Sequence, residues 1–163
     1  KTKDLQSDKI INLLKNLKEK YIIYSGFGGV ILKNDTLNCS KKFLHIHGGF
    51  APNYKGSTAF YYSLIEEKTI GATALWLNEK IDEGPIILRH KYTNFNKYYE
   101  IDTILDPLYR ADVLLSVLKQ RIKEDKFNKG KIMNSARPPY HVIHPILKHV
   151  ALKKHFPDLI EKN

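Results

Sequence analysis

The sequence predicts an α/β domain with a mostly parallel sheet flanked by helices, on three observations. An amphipathic stretch runs directly into a short block of β-favouring residues. Glycine-rich turns close two predicted strands, and segments of helical periodicity alternate with the strands. Ser7 is placed to cap a first helix whose Ile10, Leu13, Leu14 and Leu17 recur at three- and four-residue spacing and face a core. Tyr21-Ile22-Ile23-Tyr24 follows as a buried strand, closed by Ser25-Gly26-Phe27-Gly28-Gly29. Phe43 to His47 reads as a second strand, opening onto a loop over residues 48–56 that holds too much Gly and Pro for regular structure. A helix capped by Ser57 runs to about Glu67. Ile70 to Leu77 is a third strand, and Pro85 begins a fourth after the acidic turn from Asn78 to Gly84.

Asp106-Pro107 is a cap followed by a first-turn proline, and Leu108, Ala111, Leu115, Leu118 and Ile122 carry a helical stripe to about Lys126. Val142, Ile146, Leu147 and Val150 mark a final helix that Pro157 ends. Trp76 and Phe60-Tyr61-Tyr62 read as core, and His141, His144 and His149 as surface or capping residues. Arg110 reads as a solvated or paired helix residue, with contact to a phosphate as the alternative.

The 163 residues, 42% of them hydrophobic, suit one compact core and argue against disorder, collagen or a coiled coil. No apolar run approaches the roughly 18 residues a membrane helix needs, so no membrane partner is expected. A lone Cys39 excludes an internal disulfide and a CxxC metal site, which fits a reducing, cytoplasmic compartment. The first residue is Lys rather than Met, so the chain is read as a processed or trimmed product. The excess of 27 Lys and Arg over 17 Asp and Glu lies at the ends. There are six bases against three acids in residues 1–20, ten of each in 21–116, and eleven against four in 117–163. The terminal lysines are scattered along helices and read as a solvated surface rather than as a nucleic-acid stripe.

His45 and His47 stand two apart on a predicted strand, so their side chains share one face at a strand end, where α/β sheets place ligands. Asp82 lies in another strand-end loop and can approach His47 to fix its tautomer. The same pattern has a metal reading, because His45, His47, Asp82 and His90 are all ligand types, although no HExxH or cysteine cluster accompanies them. The residues leave both readings open, and a metal-free site is the expectation.

The ordered motifs resemble a known family. They are Tyr24-Ser25-Gly26-Phe27-Gly28-Gly29-Val30-Ile31-Leu32, His45-Ile46-His47 with the loop to Tyr54-Lys55-Gly56, Gly71-Ala72-Thr73-Ala74, and Ile81-Asp82-Glu83-Gly84-Pro85-Ile86-Ile87. Together, over residues 20–92, they are similar to the formyltransferases that use 10-formyltetrahydrofolate, closest in style to the sugar N-formyltransferases. That family has Asn-x-His, a loop ending Leu-Pro-x-Tyr-Arg/Lys-Gly, a Gly-x-Thr strand and an Asp-x-Gly-x-Ile turn. Here the Asn position is His45, and the usual Pro-Ser after the histidine is Gly48-Gly49.

The resemblance implies a partial Rossmann-like formyltransferase fold, with a catalytic core over residues 1–92 and a helical extension over 93–163 packed on the same domain. It also implies further strand-helix units before the segment at Ile10. His47 matches the catalytic histidine, Asp82 its proton-transfer partner, and His45 would donate to the formyl oxygen. Backbone groups of Gly28, Gly29, Val30, Ile31 and Leu32, and of Leu77, Asn78, Lys80 and Ile81, match the segments that hold the pterin. The loop Gly48 to Gly56 is expected to act as a lid. The implied reaction is formyl transfer from 10-formyltetrahydrofolate to a primary amine, with a nucleotide-linked amino sugar the expected acceptor. A homodimer is compatible with this. A methionyl-tRNA formyltransferase-like enzyme and a non-catalytic folate- or nucleotide-binding remnant are the alternatives. The helical pattern after Tyr92, unlike an appended β-barrel, favours the small acceptor.

Overall fold

The computed structural model describes residues 5–25 and 31–156. Helix α1 (Asp8–Asn16) leads into β1 (Tyr21–Tyr24), a short α2 (Asn34–Leu37) and β2 (Lys42–His47). Helix α3 (Ala59–Glu67), β3 (Ile70–Trp76) and β4 (Ile86–Tyr92) follow. A π-helical turn (Ile101–Leu105) opens α4 (Asp106–Glu124), and α5 (Pro145–His155) closes the described chain.

The α/β class holds, but the sheet is mixed where a mostly parallel one was expected. In the order β1-β2-β3-β4, β1 and β2 are parallel and the other two pairings are antiparallel. The reason lies in the segment after β2. It folds over the end of the sheet where β2 stops, so that β3 begins beside Phe50 and runs back down, pairing Thr73 with His47 and Trp76 with Leu44. A hairpin then returns β4 along β3.

Alternation along β2 separates two cores. Leu44 and Ile46 enter the larger one, with Phe60, Tyr61 and Leu64 of α3, Val113 and Val117 of α4, and Ala151 of α5. Phe43 joins a smaller cluster with Ile11, Leu32 and Cys39. His45 and His47 share the parity of Phe43 and therefore lie on the more thinly covered face. β3 is buried along its whole length, and its Gly71, Ala72 and Ala74 leave room for the layers above. Trp76, Phe60 and Tyr61 are core residues, as their sequence context indicates.

Four expectations fail at the level of faces. In α1 the buried residue is Ile11, while Leu13 is 57% exposed and Leu17 lies beyond the helix end. β1 has β2 as its partner and exposes Tyr21 and Ile23, so it is an edge in the described sheet rather than a buried strand. In α4 the core-facing residues are Tyr109, Val113 and Val117, and the predicted Leu108, Leu115 and Ile122 face outward. Both α4 stripes have helical spacing. Docking on β4 selects one, because the Tyr109 ring stacks on Tyr92 at 3.8 Å between centroids and the Tyr92 hydroxyl donates to Asp112 at 2.6 Å. Likewise α5 buries Ala151 and His155 and leaves Ile146, Leu147 and Val150 exposed. His144 caps α5 as expected, its Nδ1 accepting from the Ile146 N–H at 3.2 Å.

His155 gives a stability prediction. It is 9% exposed, its Nε2 has no hydrogen-bond partner, and burial, reinforced by nearby lysines, holds its pKa below the ordinary histidine value. The unfolded chain binds the proton first, so stability is full above about pH 6.5 and falls as the pH drops below it. Urea midpoints measured from pH 7.5 to 5 should therefore fall less steeply in His155→Leu than in the parent, by up to one proton. Parallel curves would show that His155 does not titrate differently on folding.

Candidate active site

β2 sets His45 and His47 side by side, and the loops around them fix their rings. The His47 Nδ1 lies 3.3 Å from the Asp82 Oδ2, and its Nε2 lies 2.9 Å from the Tyr54 carbonyl. The His45 Nδ1 faces the Tyr24 carbonyl at 3.2 Å, a contact that the parallel pairing of Tyr24 with His45 makes available. Burial, the largest influence, keeps the His45 pKa below the ordinary histidine value and so keeps the ring neutral near pH 7. One ligand-type atom from each of His45, His47 and Asp82 lies within 4.8 Å of the others. His90, the fourth candidate, projects from an exposed position on β4 and is not part of this cluster.

Asp82 reaches the histidines because the β3–β4 connection folds back over the sheet. Asp82 itself adopts φ 52°, a left-handed conformation uncommon for a residue other than glycine and of the kind held in place at functional sites. Its Oδ2 accepts from the Gly56 N–H at 2.9 Å, and Glu83 beside it pairs with the buried Lys55. The two loops therefore brace each other.

The loop Gly48–Gly56 was expected to be a lid, but it is built into the core. The Ala51 N–H donates to the Thr73 Oγ1 at 3.0 Å, Thr73 donates to the Gly49 carbonyl at 2.7 Å, and Arg89 donates to the Ala51 carbonyl at 2.8 Å. Ala51, Tyr54 and Lys55 are buried. A loop so bonded serves as a seat that orients His47.

Asp106 is the site residue that sequence reasoning missed. It reads as a helix cap, yet it makes no capping bond; its carboxylate lies against Gly48, where any side chain would collide with it. It pairs with Arg110 at 2.8 Å, and burial pushes its pKa above the ordinary carboxylate value. The Nε of Arg110 is buried without a partner. The only hint in the sequence was the helical spacing of Asp106 and Arg110, which does not say that the pair lies beside His47.

Of the segments expected to hold the pterin, Gly28, Gly29 and Val30 lie outside the described residues. Of the others, Ile31 and Leu32 line an open cleft of about 440 Å³ together with Lys33, Asn34, Asp35 and Glu79, while Leu77, Asn78, Lys80 and Ile81 do not line it. Gln6 braces one wall, donating to the Ile31 carbonyl at 2.6 Å and accepting from the Lys33 N–H at 2.7 Å. On the other side, the Asn78 side chain accepts from the Lys80 N–H at 3.0 Å, Leu77 is half-buried and Ile81 is exposed.

A buried histidine–carboxylate pair at the end of a strand in an α/β sheet is an arrangement that can hold and move a proton, as enzymes with general acid–base chemistry do. Known proteins narrow the class. The fold resembles a sugar N-formyltransferase from Shewanella sp FDAARGOS_354 with a TM-score of 0.67 at 17% identity, over 93% of this chain and 65% of that one. A methionyl-tRNA formyltransferase from Thermodesulfovibrio yellowstonii is 26% identical over 131 residues, 78% of this chain and 40% of that protein. A formyltetrahydrofolate deformylase from Escherichia coli (strain K12) is 26% identical over 99 residues, covering 56% and 35%. The chain thus spans well under half the length of these two relatives. The sequence model of the formyl transferase family matches residues 1–106, and the chain belongs to that family.

Proposed function

We propose that this chain forms the donor-binding and proton-handling part of an enzyme that moves a formyl group from 10-formyltetrahydrofolate to a primary amine. The observation that carries the reading is the His47–Asp82 pair at 3.3 Å, with His45 beside it on the same strand face. The cleft supports the donor: its volume lies in the usual ligand range, Ile31 and Leu32 give it apolar walls, and it lies between the two segments assigned to the pterin. The bound folate supplies an activated formyl group on nitrogen. The protein must then place a hydrogen-bond donor at the carbonyl oxygen, where charge develops, and accept a proton from the attacking amine.

His47 is the group positioned to carry that proton, with Asp82 and the Tyr54 carbonyl holding its ring. His45 is turned by the Tyr24 carbonyl, which takes the Nδ1–H and leaves Nε2 free. Proton relay through His47, and polar contact from His45, are the roles assigned to this chain's own residues.

The acceptor we favour is a nucleotide-linked amino sugar. After Tyr92 the chain forms helices that share the main core, and the partly exposed guanidinium of Arg110, paired with Asp106, supplies a cation beside the site. The assignment also implies a soluble enzyme of the cytoplasm; no helix of the described residues is long and apolar enough to cross a membrane.

The test is calorimetric titration of the full-length protein carrying this chain with a stable analogue of 10-formyltetrahydrofolate. One saturable site is expected, followed by transfer to an amino-sugar nucleotide in preference to methionyl-tRNA. A folded protein that ignores the analogue would overturn the reading, and preferential transfer to the tRNA would overturn the acceptor.

A further inference from the structure

His45, His47 and Asp82 also have the arrangement of metal ligands, and their surroundings carry the argument further than their proximity does. A histidine that binds a metal through one ring nitrogen nearly always donates the other N–H to a carbonyl or carboxylate, and a ligating carboxylate is itself hydrogen-bonded. All three groups meet that condition here. His45 gives its Nδ1 to the Tyr24 carbonyl at 3.2 Å, and His47 gives its Nε2 to the Tyr54 carbonyl at 2.9 Å. Asp82 is anchored by the Gly56 N–H at 2.9 Å. The anchors come from backbone, so the rings keep their orientation whether or not an ion is bound.

With those N–H groups engaged, the lone pairs remaining are on the His45 Nε2 and the His47 Nδ1. The His47 Nδ1 already lies 3.3 Å from the Asp82 Oδ2. Two ligands held at about 2.0–2.1 Å from a tetrahedral ion lie roughly 3.3–3.4 Å apart, which is the separation of this edge. The three ligand atoms lie within 4.8 Å of one another, and the set must draw together by about an ångström to share an ion. The nearby Arg110 does not oppose a cation strongly, because Asp106 pairs with it at 2.8 Å. Two imidazoles and one carboxylate suit zinc or another divalent transition ion and leave positions open for an exchangeable oxygen ligand.

We infer that His45, His47 and Asp82 form a binding site for one divalent transition-metal ion, with Tyr24, Tyr54 and Gly56 as its backbone supports. The site goes beyond the formyl-transfer reading but shares its residues: an ion on the His47 Nδ1, with Nε2 held by the Tyr54 carbonyl, would keep His47 from carrying a proton, so metal-bound and proton-handling forms are alternative states. An ion there would present its open position to a carbonyl oxygen or a water.

The experiment uses the full-length protein, freed of metal with a chelator and titrated with zinc. One equivalent is expected to bind, with affinity lowered tenfold or more in His45→Asn and in Asp82→Asn and unchanged in His90→Asn. Cobalt(II) added to the unmutated protein should give the d–d absorption of a nitrogen- and oxygen-ligated ion and be displaced by zinc, a readout that needs no variant. Absence of saturable binding, or binding that His45→Asn leaves unchanged, would overturn the site. Parallel titration with the folate analogue separates the two readings. Uptake of analogue without zinc defeats this inference alone, and uptake of zinc without analogue defeats the proposed function alone.

Discussion

Replacing His47 with alanine in the full-length protein should lower formyl transfer by a hundredfold or more while leaving binding of the folate analogue within a few-fold. The two effects separate because of where His47 stands. Its ring is buried at the end of β2 and held between the Asp82 carboxylate and the Tyr54 carbonyl, whereas the cleft is lined by the segment at Ile31 to Asp35 and by Glu79. Removing a group that serves only the transition state lowers the rate without weakening the ground-state complex. Asp82→Asn should also cost on the order of a hundredfold. Asparagine keeps an oxygen that can accept from the Gly56 N–H, so the loop contact survives while the charge facing His47 is lost. Single-turnover rates and analogue affinity, measured side by side, decide the matter. Equal losses in both would recast His47 as a structural residue.

Gly84→Ala is the second large effect, and it should lower stability by about 3 kcal/mol or more. A methyl group at residue 84 would land on the carbonyl of Trp76, which is backbone and cannot swing aside. The Trp76 N–H donates to the Pro85 carbonyl at 3.0 Å, and its indole N–H donates to the Asn128 carbonyl at 3.2 Å, so both sides of the contact are tied down. Relief requires the β3–β4 connection to shift, and that connection carries Asp82. The variant should therefore lose transfer rate beyond what its folded fraction explains. Urea denaturation of parent and variant measures the first effect, and activity corrected for the folded fraction measures the second. An unchanged midpoint would mean that the connection does not lie against Trp76.

The two histidines could be read from the sequence because strand geometry is periodic: residues two apart on one strand share a face whatever else the chain does. The same holds for the glycine-rich turn after His47 and for the proline that opens α4. The face of a helix is a different matter. Along α4, Leu108, Leu115 and Ile122 form one apolar stripe and Tyr109, Val113 and Val117 another, and no local rule ranks them. The ranking comes from Tyr92 and the main core, which are distant in sequence. Asp106 escaped notice for a similar reason, since a residue before Pro107 reads as a cap until Gly48 is brought against it.

The sequence by itself determined the order of the four strands and the longer helices, the shared face of His45 and His47, and the membership that the ordered motifs from Tyr24 to Ile87 suggest, because each rests on local spacing, whereas the short α2 and the π-helical turn escaped it. Only the tertiary structure decided that β3 returns antiparallel to β2, that the Gly48–Gly56 loop is a fixed seat, and that Asp82 crosses the sheet to meet His47. Those outcomes depend on contacts between residues 20 or more positions apart, such as Ala51 with Thr73 and Gly56 with Asp82, whose partners only folding selects.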